Sequence, residues 1–205
     1  MAISTYTQLK STIADWLMRS DLDAVIPSFI ELAEARFNRD LRLPDMVRRS
    51  EGSFSNRFFK LPTDCMEIID VSLDDNTKLE QWTSDYMDDV RPIGDRTGKP
   101  QAYAILGRQL EVYPTPAGEL KMVLAYYQAL DALSSSTSTN WLLDRHPDLY
   151  LYGALLQSAP YLKEDERINT WSGIYDRLMQ EAVRYDERLR FSQARTPRVK
   201  ARTIG

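Results

Sequence analysis

The chain has 205 residues, 43% of them hydrophobic and 27% charged, with a formal net charge of −4. That length and mixture suit a self-sufficient core and exclude wholesale disorder, and the longest apolar run, Leu149 to Leu156, falls far short of the ~18 residues of a membrane span. A single cysteine, Cys65, excludes an internal disulfide or a multi-cysteine zinc site.

Tyr6, Leu9, Ile13, Trp16 and Leu17 fall at helical spacing and predict a helix from Thr5 to about Arg19. Ser20-Asp21-Leu22-Asp23 supplies N-cap candidates for a second helix, with Pro27 in its first turn and Pro44 beyond its end. Ile26, Phe29, Ile30, Ala33, Phe37 and Leu41 form its apolar stripe, and Glu31, Glu34, Asn38 and Arg39 are expected off it. From Met46 to about Leu130 short runs separated by turn residues predict antiparallel strands. Ile69, Val71 and Leu73 alternate with Asp70 and Ser72 before an Asp74-Asp75-Asn76 turn, and Trp82 to Val90 suggests a short helix ended by Pro92. Tyr103 and Ile105, then Gly107-Arg108, then Leu110 to Tyr113 predict a hairpin. Leu120, Met122, Leu124 and Tyr126 share one face of a final strand.

Six consecutive hydroxyl residues, Ser134 to Thr139, read as a polar connector. His146-Pro147-Asp148 then starts a helix whose face is Leu149, Tyr152, Leu155, Leu156 and Ala159, with Pro160 perturbing or ending it. The last helix, about Asp165 to Phe191, carries Ile168, Trp171, Ile174, Tyr175, Leu178, Ala182, Tyr185 and Leu189 on its stripe. Core packing is the expectation for Trp16, Trp171, Tyr152 and Tyr175. The expected fold is α+β, a bundle of four main helices, two N-terminal and two C-terminal, in residues 1–45 and 131–192. A small antiparallel β lobe is inserted at residues 46–130, and an extended basic C-terminal arm occupies 193–205.

Enzymatic chemistry finds little support. Gly94-Asp95-Arg96-Thr97-Gly98-Lys99 has three residues between its glycines where a phosphate-binding loop needs four, and Pro100 stands where its Ser or Thr belongs. His146 is the sole histidine, and its place before Pro147 suits a helix start better than a triad. Asp85, Asp88 and Asp89, and Glu164-Asp165-Glu166, are carboxylates that a metal-dependent hydrolase would need converging from separate elements. The simpler reading is solvated acids and complements to a helix dipole. No catalytic set, metal site or cofactor is expected.

Charge is unevenly placed. Arg188, Arg190, Arg195, Arg198, Lys200 and Arg202 are the only charged residues from Arg188 to Gly205. The other 187 residues hold 20 basic and 30 acidic side chains, a formal charge of −10. Pro197 and the loss of apolar period separate this end from the core, so it is expected to serve a partner. The basic charge also permits a DNA-binding module, the alternative reading.

Several blocks carry a family resemblance. Thr139-Asn140-Trp141-Leu142-Leu143, His146 to Leu155 and Ala159-Pro160-Tyr161-Leu162-Lys163 resemble the hallmark region of the head-to-tail adaptors of podovirus-like tailed phages. Tyr6-Thr7-Gln8-Leu9, Phe29 to Arg36, Leu61-Pro62-Thr63-Asp64 and Leu110 to Pro116 match in the same order, so the resemblance spans nearly the entire chain. It implies a structural virion protein of the neck, a dodecameric ring between portal and tail. The implied partners are the portal ring, a tail or nozzle protein, further copies of the chain, and DNA passing without sequence-specific binding. No membrane is involved. Synthesis and assembly in the host cytoplasm are expected, residues 1–5 carrying no export signal. The arm residues Arg188, Arg190, Arg195, Arg198, Lys200 and Arg202 are expected to bind the portal on charge and position alone.

Overall fold

The computed structural model describes residues 3–91, 96–162 and 167–193, the last eight as backbone only. The chain divides into two units, Met46–Ala129 and the sequence on either side of it, up to Asp45 and from Leu130. The fold is α+β with six helices among the described residues, about 43% helix and 26% strand. This corrects the expectation of four main helices carrying a small antiparallel lobe. The extra elements are too short to show a hydrophobic period, and the β unit has three sheets, two of whose pairings are parallel.

In the helical unit, α1 (Tyr6–Leu17) starts where the Thr5 hydroxyl accepts the Gln8 N–H at 3.3 Å, and ends at Met18 in the left-handed region, φ 53°. Its stripe is buried except Trp16, which is 42% exposed and only meets the Tyr152 ring edge-on at 5.6 Å. The core expectation for Trp16 is therefore corrected. α2 (Ile26–Asp40) has Val25 at its N-cap with no side-chain cap bond, so the Ser20 to Asp23 candidates go unused. Backbone N–H groups of Val25 and Ile26 turn back instead to the Leu22 carbonyl, at 2.8 and 2.9 Å. α4 (Trp141–Arg145) is a five-residue helix set by Asn140, whose amide oxygen accepts the Leu143 N–H at 2.9 Å. α5 (Pro147–Leu162) keeps Pro160 inside its last turn, where a missing N–H costs one bond and the helix continues.

α5 packs against α1, α2 and α6 (Ile168–Gln193). Phe37 of α2 lies edge-on to Tyr150 at 5.1 Å and stacks on Tyr175 of α6 at 6.4 Å. This close approach uses Gly153, where an added Cβ would stand 2.8 Å from Phe37 Cζ and 3.4 Å from Ala33 Cβ. Gly153→Ala is expected to cost about 1 kcal/mol net, overpacking of about 1–3 kcal/mol less about 1 kcal/mol of helix propensity. In a Phe37→Leu background the same change should turn stabilising; equal costs in both backgrounds, by urea denaturation, would refute the clash.

A 3-10 turn, Pro44–Met46, leads into the β unit, whose strands begin with β1 (Val47–Phe54), followed by β2 (Phe58–Lys60), β3 (Cys65–Leu73) and β4 (Glu80–Gln81). α3 (Ser84–Val90), β5 (Thr97–Gly98), β6 (Ala102–Leu106), β7 (Gln109–Tyr113), β8 (Thr115–Pro116) and β9 (Leu120–Gln128) complete it. The sheets run β1-β9-β3, β2-β7-β6-β4 and β5-β8. The β6-β7 hairpin turns through Gly107-Arg108 with Leu106 opposite Gln109, and Gly107 supplies the φ of 60°. Val71, Leu73, Met122, Leu124 and Tyr126 share a core with Tyr103, Leu110 and Val112. The alternation expected at Ile69 is corrected. Ile68 faces Tyr126 and Asp70 faces Ala125, so Ile69 is an extra, bulged residue, 45% exposed. A second core lies under α3, where Met87 packs on Ala104 and Tyr113 with Trp82 and Val90 beside them.

Candidate functional site

The last helix anchors the end of the chain on which the basic residues are gathered. Trp171, Tyr175 and Ala182 of α6 are buried, and the Arg36 guanidinium lies 4.3 Å over the Tyr175 ring. Burial pushes the Tyr175 hydroxyl up to about 12. Among the described side chains past Ala182, Val183 is 41% and Tyr185 54% exposed, which corrects the placement of Tyr185 on the buried stripe. Arg188 and Arg190 lie on α6, in its backbone-only part, while Arg195, Arg198, Lys200 and Arg202 lie outside the described residues.

His146 caps α4, its N–H bonded to the Leu142 carbonyl at 2.8 Å and its own carbonyl accepting the Tyr150 N–H at 3.3 Å. Burial lowers the pKa of its imidazole. Asp85 stands in the first turn of α3, and Asp88 reaches Arg91 at 3.5 Å. Thr97-Gly98 forms β5 against β8, and Lys99 donates to the Asp75 carboxylate and to Thr77 Oγ1. Lys99 is the foremost cause that holds the Asp75 carboxyl down at about 2. Gly94, Asp95 and Glu164-Asp165-Glu166 lie outside the described residues. Among the described residues no group of three His, Cys, Asp or Glu side chains is placed to hold a metal ion.

Two buried polar clusters escaped the sequence reading. Glu34, expected off the stripe of α2, is 5% exposed. Its Oε1 accepts the Leu133 N–H at 2.9 Å and the Tyr150 hydroxyl at 3.0 Å, and the Asn140 amide donates to Tyr150 at 2.7 Å and to the Asp131 carbonyl at 2.8 Å. One turn on, Asn38 Oδ1 accepts the Leu130 N–H at 2.9 Å. The connector into the last helices is thus held by side chains of α2. A signal existed, since Glu34 lies four residues from Ile30 and three from Phe37, both on the buried face. In the β unit, Glu111 is 3% exposed and accepts from Arg57 Nε at 2.6 Å and from an Arg91 terminal nitrogen at 2.5 Å. Glu111 lies between the buried Leu110 and Val112, so alternation alone puts it on a solvent face; α3 is what covers that face.

A family model described as SU10 adaptor protein matches residues 4–199. The chain belongs to the SU10 adaptor protein family. The resemblance read from its sequence blocks is thereby borne out, for this is a phage head-to-tail adaptor family. A search of the curated proteins finds no match.

An SU10 adaptor protein is a structural component of the phage virion, and membership implies a non-enzymatic role. Among the described residues of this adaptor, no helix is long and apolar enough to cross a membrane. The two buried clusters fit that role as fasteners of the scaffold, since each joins elements distant in sequence.

Proposed function

We propose that this adaptor forms a dodecameric ring between the portal and the tail, and that its cationic end, Arg188, Arg190, Arg195, Arg198, Lys200 and Arg202, fastens it to the portal. The observation that carries this reading is charge segregation, with six cations and no acid from Arg188 onward against a formal charge of −10 in the rest. Arg188 and Arg190 lie near the end of α6, and the other four cations come after it in the chain. Trp171, Tyr175 and Ala182 lock the earlier part of the helix into the helical unit, so a partner can hold the cations without disturbing that core. Weak attachments repeated around a ring act together, because each docking raises the effective concentration of the next. A net-negative ring also suits DNA in transit, since it repels phosphates and does not bind sequence. A tail or nozzle protein is the partner on the side away from the portal.

A chain ending at Gln193 is expected to keep its circular dichroism spectrum and melting transition, and to lose about 10²-fold or more in apparent affinity for portal rings. Co-sedimentation with purified portal measures this, and undiminished binding would remove Arg195, Arg198, Lys200 and Arg202 from the mechanism. Duplex DNA titrated at several salt concentrations tests the alternative of a DNA-binding module. Tight binding that weakens steeply with salt would favour that alternative.

A further inference from the structure

The two edges of the β1-β9-β3 sheet are treated differently. β3 carries register shifts at Cys65/Glu67 and Ile68/Asp70, and its far end is covered by the following segment, with Leu79 N–H on the Val71 carbonyl at 2.9 Å and a bridge from Ser72 to Lys78. Bulges and cover of this kind keep an edge from pairing. β1 has neither. It pairs with β9 in unbroken register over eight residues, Val47 opposite Tyr127 to Phe54 opposite Leu120, and contains no proline. Among the described residues, no backbone hydrogen bond reaches β1 from any element but β9.

Side chains on this edge carry a self-matching charge pattern. Ser50, Gly52 and Phe54 face the core side, opposite Leu124, Met122 and Leu120. Val47, Arg49, Glu51 and Ser53 are exposed on the other face, and there Arg49 and Glu51 border a concave surface with Val123 and Ala125. Neither Arg49 nor Glu51 makes a side-chain hydrogen bond or ion pair among the described residues. Two such strands laid antiparallel with Ser50 opposite Ser50 put Arg49 of each copy opposite Glu51 of the other. Directly opposed residues share a face, with Cβ atoms about 4.5–5.5 Å apart. One two-fold pairing therefore satisfies both open backbones and makes two ion pairs at once.

We propose that β1 is a self-association edge, through which two copies of the free chain join their β1-β9-β3 sheets into one six-stranded sheet. The occupant is a second copy of this chain. One strand pair buries less than the ~1,200–2,000 Å² of a stable interface, so the dimer is weak, with a dissociation constant of roughly 10–100 µM. A two-fold contact is closed and cannot propagate around a ring, so this pairing belongs to the free chain and is independent of the portal-docking reading.

Sedimentation velocity of the full chain over a wide concentration range tests the idea. Wild type is expected to move from monomer to dimer and no further. Arg49→Glu and Glu51→Arg, each placing like charges opposite each other, should weaken association at least about tenfold, and the double exchange R49E/E51R should restore it. These positions are exposed, so unchanged circular dichroism is expected throughout. The proposal is overturned if wild type stays monomeric, if it forms species larger than a dimer, if neither single change weakens the dimer, or if the double exchange fails to recover it.

Discussion

Replacing Glu111 with alanine is expected to lower the stability of the chain by about 3–5 kcal/mol, the range for removing one partner of a buried ion pair. The carboxylate is 3% exposed and joins two guanidinium groups, Arg91 with 11% of its side chain exposed and Arg57 with 31%. Arg57 can hydrate when its partner goes, whereas Arg91, the C-cap of α3, is largely buried beside Tyr113, 5.8 Å from the ring. Most of the cost therefore falls on Arg91, which keeps its desolvation and loses its buried anion, the exposed Asp88 at 3.5 Å being a weaker partner. Glu111→Gln should cost less, because an amide oxygen still accepts one donor. Combining Glu111→Leu with Arg91→Met is expected to recover most of the loss, since neither member is then left charged and buried. Urea denaturation followed by circular dichroism measures all three; a Glu111→Ala midpoint close to wild type would show that the cluster is hydrated and contributes little.

The second large effect is expected at Glu34. Alanine there leaves the Leu133 N–H and the Tyr150 hydroxyl without their acceptor, at a cost of about 2–4 kcal/mol for the two. Burial, the foremost cause, raises the Glu34 carboxyl above its ordinary value, against the lowering pull of the bonds from Leu133 and Tyr150. A raised folded-state carboxyl means that the folded chain binds its proton more tightly than the unfolded chain does. This group's contribution is therefore most favourable when the carboxyl is protonated in both states, and declines as pH rises from the ordinary carboxylate value through the raised one. Glu34→Gln removes that dependence and keeps an acceptor for both donors. The variant should accordingly gain on wild type as pH rises above the ordinary carboxylate value of 4.5 in paired urea titrations. A difference that stays constant over that rise would mean that Glu34 is already ionised in the fold at no cost.

These two residues also mark where sequence reading fails. Glu34 has the chemistry of a surface residue at a core position of α2, and only the arrival of Leu133 and Tyr150, each about a hundred residues away, makes burial tolerable. Glu111 obeys the alternation of its strand, and the helix α3 covers the face on which that alternation places it. Ile69 looks like part of a regular strand until pairing with β9 reveals one residue too many. In the same way, Trp16 and Tyr185 hold stripe positions, yet each stays largely exposed.

What the amino-acid order determined by itself was local or statistical. The limits of α1 follow from Thr5 and the run of Leu9, Ile13 and Leu17, the hairpin follows from Gly107-Arg108, and the ordered blocks along the chain were sufficient to assign the family. Such features are decided within a turn or two of backbone, by capping, periodicity and allowed φ, so a short window contains their cause. Tertiary structure alone decided which acids are buried, where β3 bulges, why Gly153 carries no side chain, and which sheet edge stays open. Each of those depends on an element brought in from distant sequence, and the free energy of burial belongs to the pair of surfaces that meet.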